Sequence, residues 1–393
     1  MLAHSPPLPL VIDYDYDITE EDEKAIILAL AQRDRVQRIR FYIPFLKLQR
    51  LIMVIDGEYP ILEYLILMDI SEKRPVPVLT LPETLQIPRL RHLTIDCSIP
   101  IRFQLFTTAV GLVTLCLRFH HPSTYFQPTF LLQSLSLIPQ LEVLLIYFHF
   151  AVPKRDVERQ LLRTPITTHV TLPKLRTFGL RAVSAYTEAV LSQITAPRLE
   201  NILIFYPKQL TFSVPQLLQF IGRTENPKLD RALFHFYGEQ VYVKFNPPET
   251  RKKCSDMPVA PFSINVDGWH LDWQVSSMAQ ILNALGQIFS TVEHLILWHK
   301  DHCLSSEEHN EVDRAEWLNF LRPFCNVRKL HIDDGLVEEL SRCLRLEDGE
   351  HSSEVLPELQ ELTYSGSGDS NDVFTAFIDA RQNAGRPVTL IKS

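Results

Sequence analysis

The side chains with the clearest potential for metal chemistry lie in one short segment. His299, His302, Cys303 and His309 are of the types that bind zinc. Structural zinc sites, however, use Cys-Cys and His-His pairs at characteristic spacings, and neither pair is present in this segment. Several glutamates follow in the same segment, which is typical of a solvated loop. We therefore interpret it as a surface loop and predict no metal site, with zinc-dependent catalysis as the remote alternative.

A second candidate is the alternating run Asp13, Asp15 and Asp17, which has the spacing that opens a calcium-binding loop. Such a loop requires glycine at its sixth position and glutamate at its twelfth, where this chain has Ile18 and Lys24. We interpret the run as the end of a strand that leads into a helix cap.

Catalytic motifs are missing from the chain. The patterns G-x-S-x-G, G-x-x-x-x-G-K-[ST], H-E-x-x-H and G-x-G-x-x-G do not occur, so nucleophilic, phosphoryl-transfer and hydride-transfer chemistry have no local signature. The run His120, His121 and Pro122 is interpreted as a strand-to-loop turn. We predict no enzyme, no catalytic residue and no cofactor.

The composition narrows the class of partner. The 393 residues are 46% hydrophobic and 22% charged, which is typical of a globular protein, and the net charge of −8 disfavours nucleic acid. No apolar run is long enough to cross a bilayer, so no membrane partner is expected. The six cysteines form no C-x-x-C pair and no signal peptide is evident, which together predict a cytoplasmic or nuclear protein.

One sequence motif recurs along the chain: proline, any residue, leucine, two mostly polar residues, then alternating apolar residues. Further copies keep only the L-x-x-L-x-L frame, and their anchors recur at intervals of 22 to 35 residues apart from one interval of 93 residues between Leu199 and Val292. This spacing overlaps that of leucine-rich repeats. The five clearest copies span Pro60 to Leu67, Pro88 to Ile95, Pro139 to Ile146, Pro173 to Leu180 and Pro197 to Ile204.

The frame predicts a short parallel strand in each repeat, with a helix or loop returning the chain. Thr19 to Asp22 predicts a capping box before a helix over 25–31. Within the long interval, alternating residues over 228–236, 241–245 and 262–266 predict strands that continue the repeat. Further helices are predicted over 133–138, 185–194, 214–221, 275–289, 315–321, 336–346 and 373–383. We predict an α/β leucine-rich-repeat-like solenoid over 1–393, with a curved parallel sheet, irregular helices or loops on the convex side, and a flexible insertion at 246–261.

The repeats and several longer stretches resemble the F-box-associated leucine-rich-repeat proteins of mushroom-forming fungi. The stretches are Leu10 to Tyr14, Gln32 to Val36, Tyr59 to Leu67, Leu271 to Gln280, Thr291 to Leu295, Glu316 to Pro323 and Ala380 to Thr389. This resemblance implies the target-recognition part of a cullin-based ubiquitin-ligase receptor. The F-box that docks the ligase adaptor is absent from the sequence, and we expect it either to have been lost or to lie upstream. A full receptor subunit, with an F-box upstream, is the alternative.

Residues between the core positions of each strand point to the opposite side of the sheet, and several of them are large and apolar or aromatic. Such residues are typical of protein interfaces, so they predict a surface that binds a protein target of unknown identity. The alternative is a sheet that is tightly curved or covered by its own loops. Predicted partner-binding residues are Tyr64, Met68, Tyr147, Phe205, His294 and Trp298.

Overall fold

The computed structural model is an α/β fold that divides into two compact units, Met1–Glu200 and Asn201–Ser393. This confirms the predicted α/β class; a single solenoid over 1–393 stays a prediction. No helix among the described residues combines the length and apolarity needed to cross a membrane. The structure describes residues 8–16, 19–71, 78, 80–97, 99–100, 103–149, 166–209, 211–223, 229–246, 261–300, 312–345, 355–365 and 373–392.

Seven strands of the first unit form a parallel sheet in which each strand pairs with the next. They are β1 (Leu10–Asp15), β2 (Val36–Ile43), β3 (Tyr64–Asp69), β4 (His92–Asp96), β5 (Thr114–Phe119), β6 (Val143–Phe148) and β8 (Thr177–Arg181). A separate parallel pair joins β7 (Val170–Thr171) to β9 (Ile194–Thr195). The described strands of this unit confirm the parallel arrangement that the repeat frame predicts.

Helices connect many of these strands: α1 (Glu20–Leu30), α2 (Phe45–Ile52), α3 (Phe103–Thr108), α4 (Pro128–Ser136) and α5 (Ser184–Leu191). The predicted capping box is confirmed: the Asp22 backbone N–H donates to Thr19 Oγ1 at 3.1 Å, and the Thr19 N–H donates to Asp22 Oδ2 at 3.0 Å. The helix predicted over 185–194 ends earlier, at Leu191, and Ile194, the last residue of the predicted range, pairs in β9.

Removing this cap gives a first test. Thr19→Ala is expected to lower the free energy of unfolding by about 1 kcal/mol, because the Asp22 backbone N–H loses its side-chain acceptor, Thr19 Oγ1. Urea denaturation followed by circular dichroism measures the change. Ser136→Ala is the control, since Ser136 Oγ only donates to the Gln133 carbonyl within α4. An equal loss in both variants would contradict the capping role.

Burial alternates along the strands as the repeat frame predicts. In β3, Leu65 and Leu67 are fully buried, whereas Tyr64, Ile66 and Met68 between them are half-buried. The fully buried positions face the helices, as shown by Phe148 of β6, whose ring lies 5.5 Å from that of Tyr186 in α5. The core of the first unit therefore lies between the sheet and its helices. We call the other side of each sheet its open face.

The second unit has eight sheet strands in the order β10, β13, β12, β11, β14, β15, β16, β17. Their bounds are β10 (Asn201–Tyr206), β11 (Arg231–Tyr237), β12 (Gln240–Phe245), β13 (Phe262–Asp267), β14 (His294–Lys300), β15 (Lys329–Ile332), β16 (Glu361–Tyr364) and β17 (Thr389–Lys392). Strand β12 is antiparallel to both of its neighbours, and the other pairs are parallel.

The three strands predicted in the long interval are therefore confirmed, but their predicted continuation of the repeat is wrong. Tyr237 pairs with Gln240, which leaves only Gly238 and Glu239 to connect β11 to β12. A two-residue connection permits only an antiparallel hairpin, because a parallel crossover needs about a dozen residues or more. The hairpin places β13 beside β10 and leaves β11 to pair with β14.

Six helices are described in the second unit: α6 (Pro215–Gly222), α7 (Leu271–Ala284), α8 (Gly286–Phe289), α9 (Arg314–Leu321), α10 (Asp334–Leu344) and α11 (Thr375–Asn383). An aromatic core lies between β11 and α9, where Phe234 contacts Phe320 with ring centroids 4.9 Å apart and Phe236 contacts Trp317 at 5.7 Å. The predicted insertion at 246–261 lies outside the described residues except for its two ends.

Candidate functional site

The open faces carry side chains that parallel register aligns into rows running across the strands. In the first unit, one row contains Arg38, Tyr64, His92 and Thr114, from β2 to β5. The Tyr64 and His92 rings are stacked, with centroids 4.3 Å apart and planes 6° from parallel. The Arg38 guanidinium lies over the Tyr64 ring at 5.5 Å, and His92 Nδ1 lies 3.1 Å from Thr114 Oγ1. Four consecutive strands thus present one continuous row of paired side chains.

A second group lies at the carboxyl ends of β4, β5, β6 and β8. We define the Asp96 cluster as Asp96, Arg118, His120, Tyr147, His149 and Arg181. Register places Asp96, Arg118, Tyr147 and Arg181 at the same level of the sheet. Residues His120 and His149 follow the ends of β5 and β6.

Asp96 is the hydrogen-bonding centre of the Asp96 cluster. One carboxylate oxygen accepts from Arg118 Nη1 at 3.1 Å, and the other lies 2.6 Å from His120 Nε2. Burial raises the pKa of Asp96, but the hydrogen bonds from His120 and Arg118 outweigh burial and leave the pKa below its ordinary value. Asp96 is therefore ionised at neutral pH and holds its two partners at fixed positions.

Aromatic rings complete the Asp96 cluster. The Arg118 guanidinium lies over the Tyr147 ring at 5.7 Å, and the His120 ring stacks on the His149 ring at 4.9 Å. Tyr147 is only 8% exposed, and burial is the main cause that raises its pKa to about 12. The phenol therefore stays protonated, and its ring supports the cation above it.

The surroundings of His149 disfavour protonation of its ring. Desolvation of the ring, followed by repulsion from Arg181 and His120, lowers its pKa to about 3, against the attraction of Asp96. Arg118 also opposes protonation. More than a third of the residue is exposed, so solvent screens part of the repulsion from these charges. His149 is neutral at pH 7 in a locally positive environment.

This shift predicts a pH dependence of stability. Because the folded pKa of His149 lies below the unfolded value of 6.5, the unfolded chain binds more protons, and the free energy of unfolding falls as pH drops below 6.5. His149→Gln cannot be protonated and is expected to lose less stability between pH 7 and pH 5. Urea denaturation at both pH values measures this difference. Asp96, with its pKa below 3.8, contributes its own loss only at more acidic pH. If both proteins lost the same free energy of unfolding between pH 7 and pH 5, the lowered pKa would not belong to His149.

In the second unit, the open face carries an aromatic row across five neighbouring strands. We define the aromatic row as Phe205, Asn265, Tyr242, His235 and Trp298, which register aligns from β10 to β14. His235 Nδ1 forms a short hydrogen bond with the Tyr242 hydroxyl, and the His235 and Trp298 rings meet edge to face at 5.9 Å. Lys244 Nζ lies over the Tyr242 ring at 4.8 Å. All five side chains of the row are half-buried.

The predicted partner-binding residues lie on these open faces. Tyr64 and Met68 are half-buried in the first unit, while Tyr147 is buried beneath Arg118. Phe205 and Trp298 are members of the aromatic row. His294 belongs to a different row, in register with Arg231 and Lys329 near the amino ends of the strands.

The sequence prediction favoured apolar and aromatic residues and so missed the polar members of the same rows. Asp96, Arg118 and Arg181 occupy the position in their strands that Tyr147 occupies in β6. His120 follows the end of β5, as the predicted strand-to-loop turn requires, but its side-chain pairing with Asp96 was not predicted. The L-x-x-L-x-L frame could have identified these polar residues, because every alternate strand position reaches the open face whatever its polarity.

The two candidate metal segments fall partly outside the described residues. His302, Cys303, His309 and Asp17 are not among them. Asp13 and Asp15 are paired with Arg40 at 3.2 Å each. Over the described ranges, no group of three histidine, cysteine, aspartate or glutamate side chains is placed to hold a metal ion.

Both open faces thus offer aromatic rings with positioned polar groups, an arrangement suited to non-covalent binding of another molecule. Comparison with known proteins adds no family name: no protein-family model matches the chain, and no curated protein matches it.

Proposed function

We propose that the chain is a non-enzymatic protein-binding scaffold, an irregular leucine-rich-repeat-like solenoid that holds a target against its open faces. The observation that carries this proposal is the aromatic row, in which five adjacent strands each contribute one half-buried side chain. At about 4.8 Å between strands, the row is roughly 19 Å long. That length is suited to a surface contact with a polypeptide.

The residue types support protein binding. Tyrosine, tryptophan and arginine are enriched among residues that dominate interface energies, because they bury a large area and retain a polar group that can be satisfied. Trp298 and Tyr242 supply such rings in the second unit, and Arg38 and Arg118 lie over rings in the first. Rings already held by neighbours lose little side-chain entropy when a partner binds.

The resemblance to F-box-associated repeat proteins supports a more specific role, that of the target-recognition part of a ubiquitin-ligase receptor. Affinity purification of the chain from its native cells, followed by mass spectrometry, tests this role. Recovery of the ligase adaptor and cullin would support a receptor. Recovery of other proteins without them would support a binding scaffold that works apart from the ligase.

Variants link any recovered partner to the open faces. Tyr147→Ala, Phe205→Ala and Trp298→Ala should each reduce recovery of a partner that uses the corresponding unit. Folding of each variant is checked by circular dichroism. If all three folded variants retain every partner at the original level, the proposal is wrong.

A further inference from the structure

We propose that the Asp96 cluster is an acidic-residue subsite: Arg118 and Arg181 receive the carboxylate of an aspartate or glutamate side chain on the partner protein. This inference rests on the proposed protein-binding function and specifies the chemistry that one part of the first unit recognises.

Geometry is the first support. Register places Arg118 and Arg181 on the strands either side of Tyr147, so their backbones are about 10 Å apart. Arginine forms paired hydrogen bonds with carboxylates, and the long side chains of two arginines whose backbones are this far apart can reach one carboxylate from both sides. The Arg118 side chain is 41% exposed and is held by Asp96 and the Tyr147 ring, so it is both reachable and positioned.

Charge is the second support. Arg118 and Arg181 together carry two positive charges and Asp96 carries one negative charge, a sum of +1 over these three groups, all of which act on His149. Desolvation is the main cause of the low pKa of His149, and the two arginines add to it. A monoanionic carboxylate matches that charge. A phosphate monoester brings nearly two negative charges and suits a more strongly cationic site, so the carboxylate is the better complement.

The test uses the full-length protein labelled with ¹³C-histidine and two capped peptides, Gly-Glu-Gly-Glu-Gly and its Gln-for-Glu counterpart. The glutamate peptide should shift the His149 ring signals saturably and raise the pKa at which they titrate, because a nearby negative charge stabilises the protonated ring. The glutamine peptide should do neither. Equal shifts with both peptides would overturn the proposal.

Variants locate the effect. Arg181→Gln should weaken glutamate-peptide binding at least about tenfold, since one charge-assisted contact is lost. Arg118→Lys keeps the charge but loses the planar fork, and it should weaken binding less than Arg118→Gln. The matched control is Arg176→Gln, because Arg176 is exposed and pairs with Glu200 at 2.7 Å. Weakening by the control equal to that by Arg181→Gln would overturn the assignment.

Two further arms separate this inference from its alternatives. Inorganic phosphate and a phosphoserine peptide are titrated in the same way, and tighter binding of either than of the glutamate peptide would overturn the choice of a carboxylate. If the chain retains a partner from cells but binds no glutamate peptide, only this inference fails. If no partner is retained while the peptide still binds as expected, the proposed scaffold function fails and the subsite remains.

Discussion

Trp298→Ala is expected to weaken partner binding through the second unit by about 2 kcal/mol, or roughly 30-fold. Trp298 ends the aromatic row on β14 and meets His235 edge to face. The His235 ring is in turn bonded to Tyr242, so the indole is held in place before a partner arrives. Losing it removes a large apolar contact area and leaves a gap beside His235. Isothermal titration calorimetry with the recovered partner measures the change.

The chain offers a matched control for this substitution. Trp269 is 62% exposed, follows β13 and lies outside the aromatic row. Trp269→Ala is therefore expected to change affinity by less than about 0.5 kcal/mol, because exposed contacts away from the central residues of an interface contribute little. Equal effects of the two tryptophan substitutions would show that the row is not the binding surface.

Trp317→Ala is expected to lower the free energy of unfolding of the second unit by about 3 to 5 kcal/mol, the cost of removing a fully buried large aromatic side chain. Trp317 is 0% exposed in α9, and its ring packs on Phe236 of β11 and on Phe320. The substitution leaves a cavity between the helix and the sheet. Urea denaturation measures the loss, and hydrogen exchange shows whether it is confined to residues 201–393.

A conservative variant separates packing from polar effects at this position. The buried Trp317 Nε1 has no hydrogen-bond partner among the described residues. Trp317→Phe therefore loses volume but no described hydrogen bond, and it should cost less than half as much as Trp317→Ala. If the phenylalanine variant were as unstable as the alanine variant, cavity formation would not explain the loss.

Strand positions and core residues were largely predictable because both follow from local periodicity. Each L-x-x-L-x-L frame identifies residues that are buried on the same side of the sheet. Leu93 and Ile95 of β4 are fully buried, as the frame predicts. The cap at Thr19 was predictable for a similar reason, because it needs only residues three apart. Helix ends were harder to predict, because they can depend on distant residues. Residues 194–195 form a strand by pairing with residues 24 positions earlier in the chain.

Strand order in the second unit depended on tertiary structure. Alternation over 228–236, 241–245 and 262–266 predicts strands but not their neighbours, since every strand has two edges able to pair. The short connection after Tyr237 turns the chain back, and this places β13 rather than β11 beside β10. No repeat frame carries that information.

The amino-acid sequence was enough to predict the α/β class, the faces of the strands and the aromatic candidates Tyr64, Phe205 and Trp298, because alternation alone assigns a residue to one side of a sheet. That Asp96 meets His120 and Arg118, more than 20 residues away in the chain, was visible only in the folded protein. The repeat frame puts Asp96 and Arg118 at equivalent strand positions, but it does not say which strands are neighbours or that His120 reaches back to Asp96. Those contacts depend on pairing between distant segments of the chain.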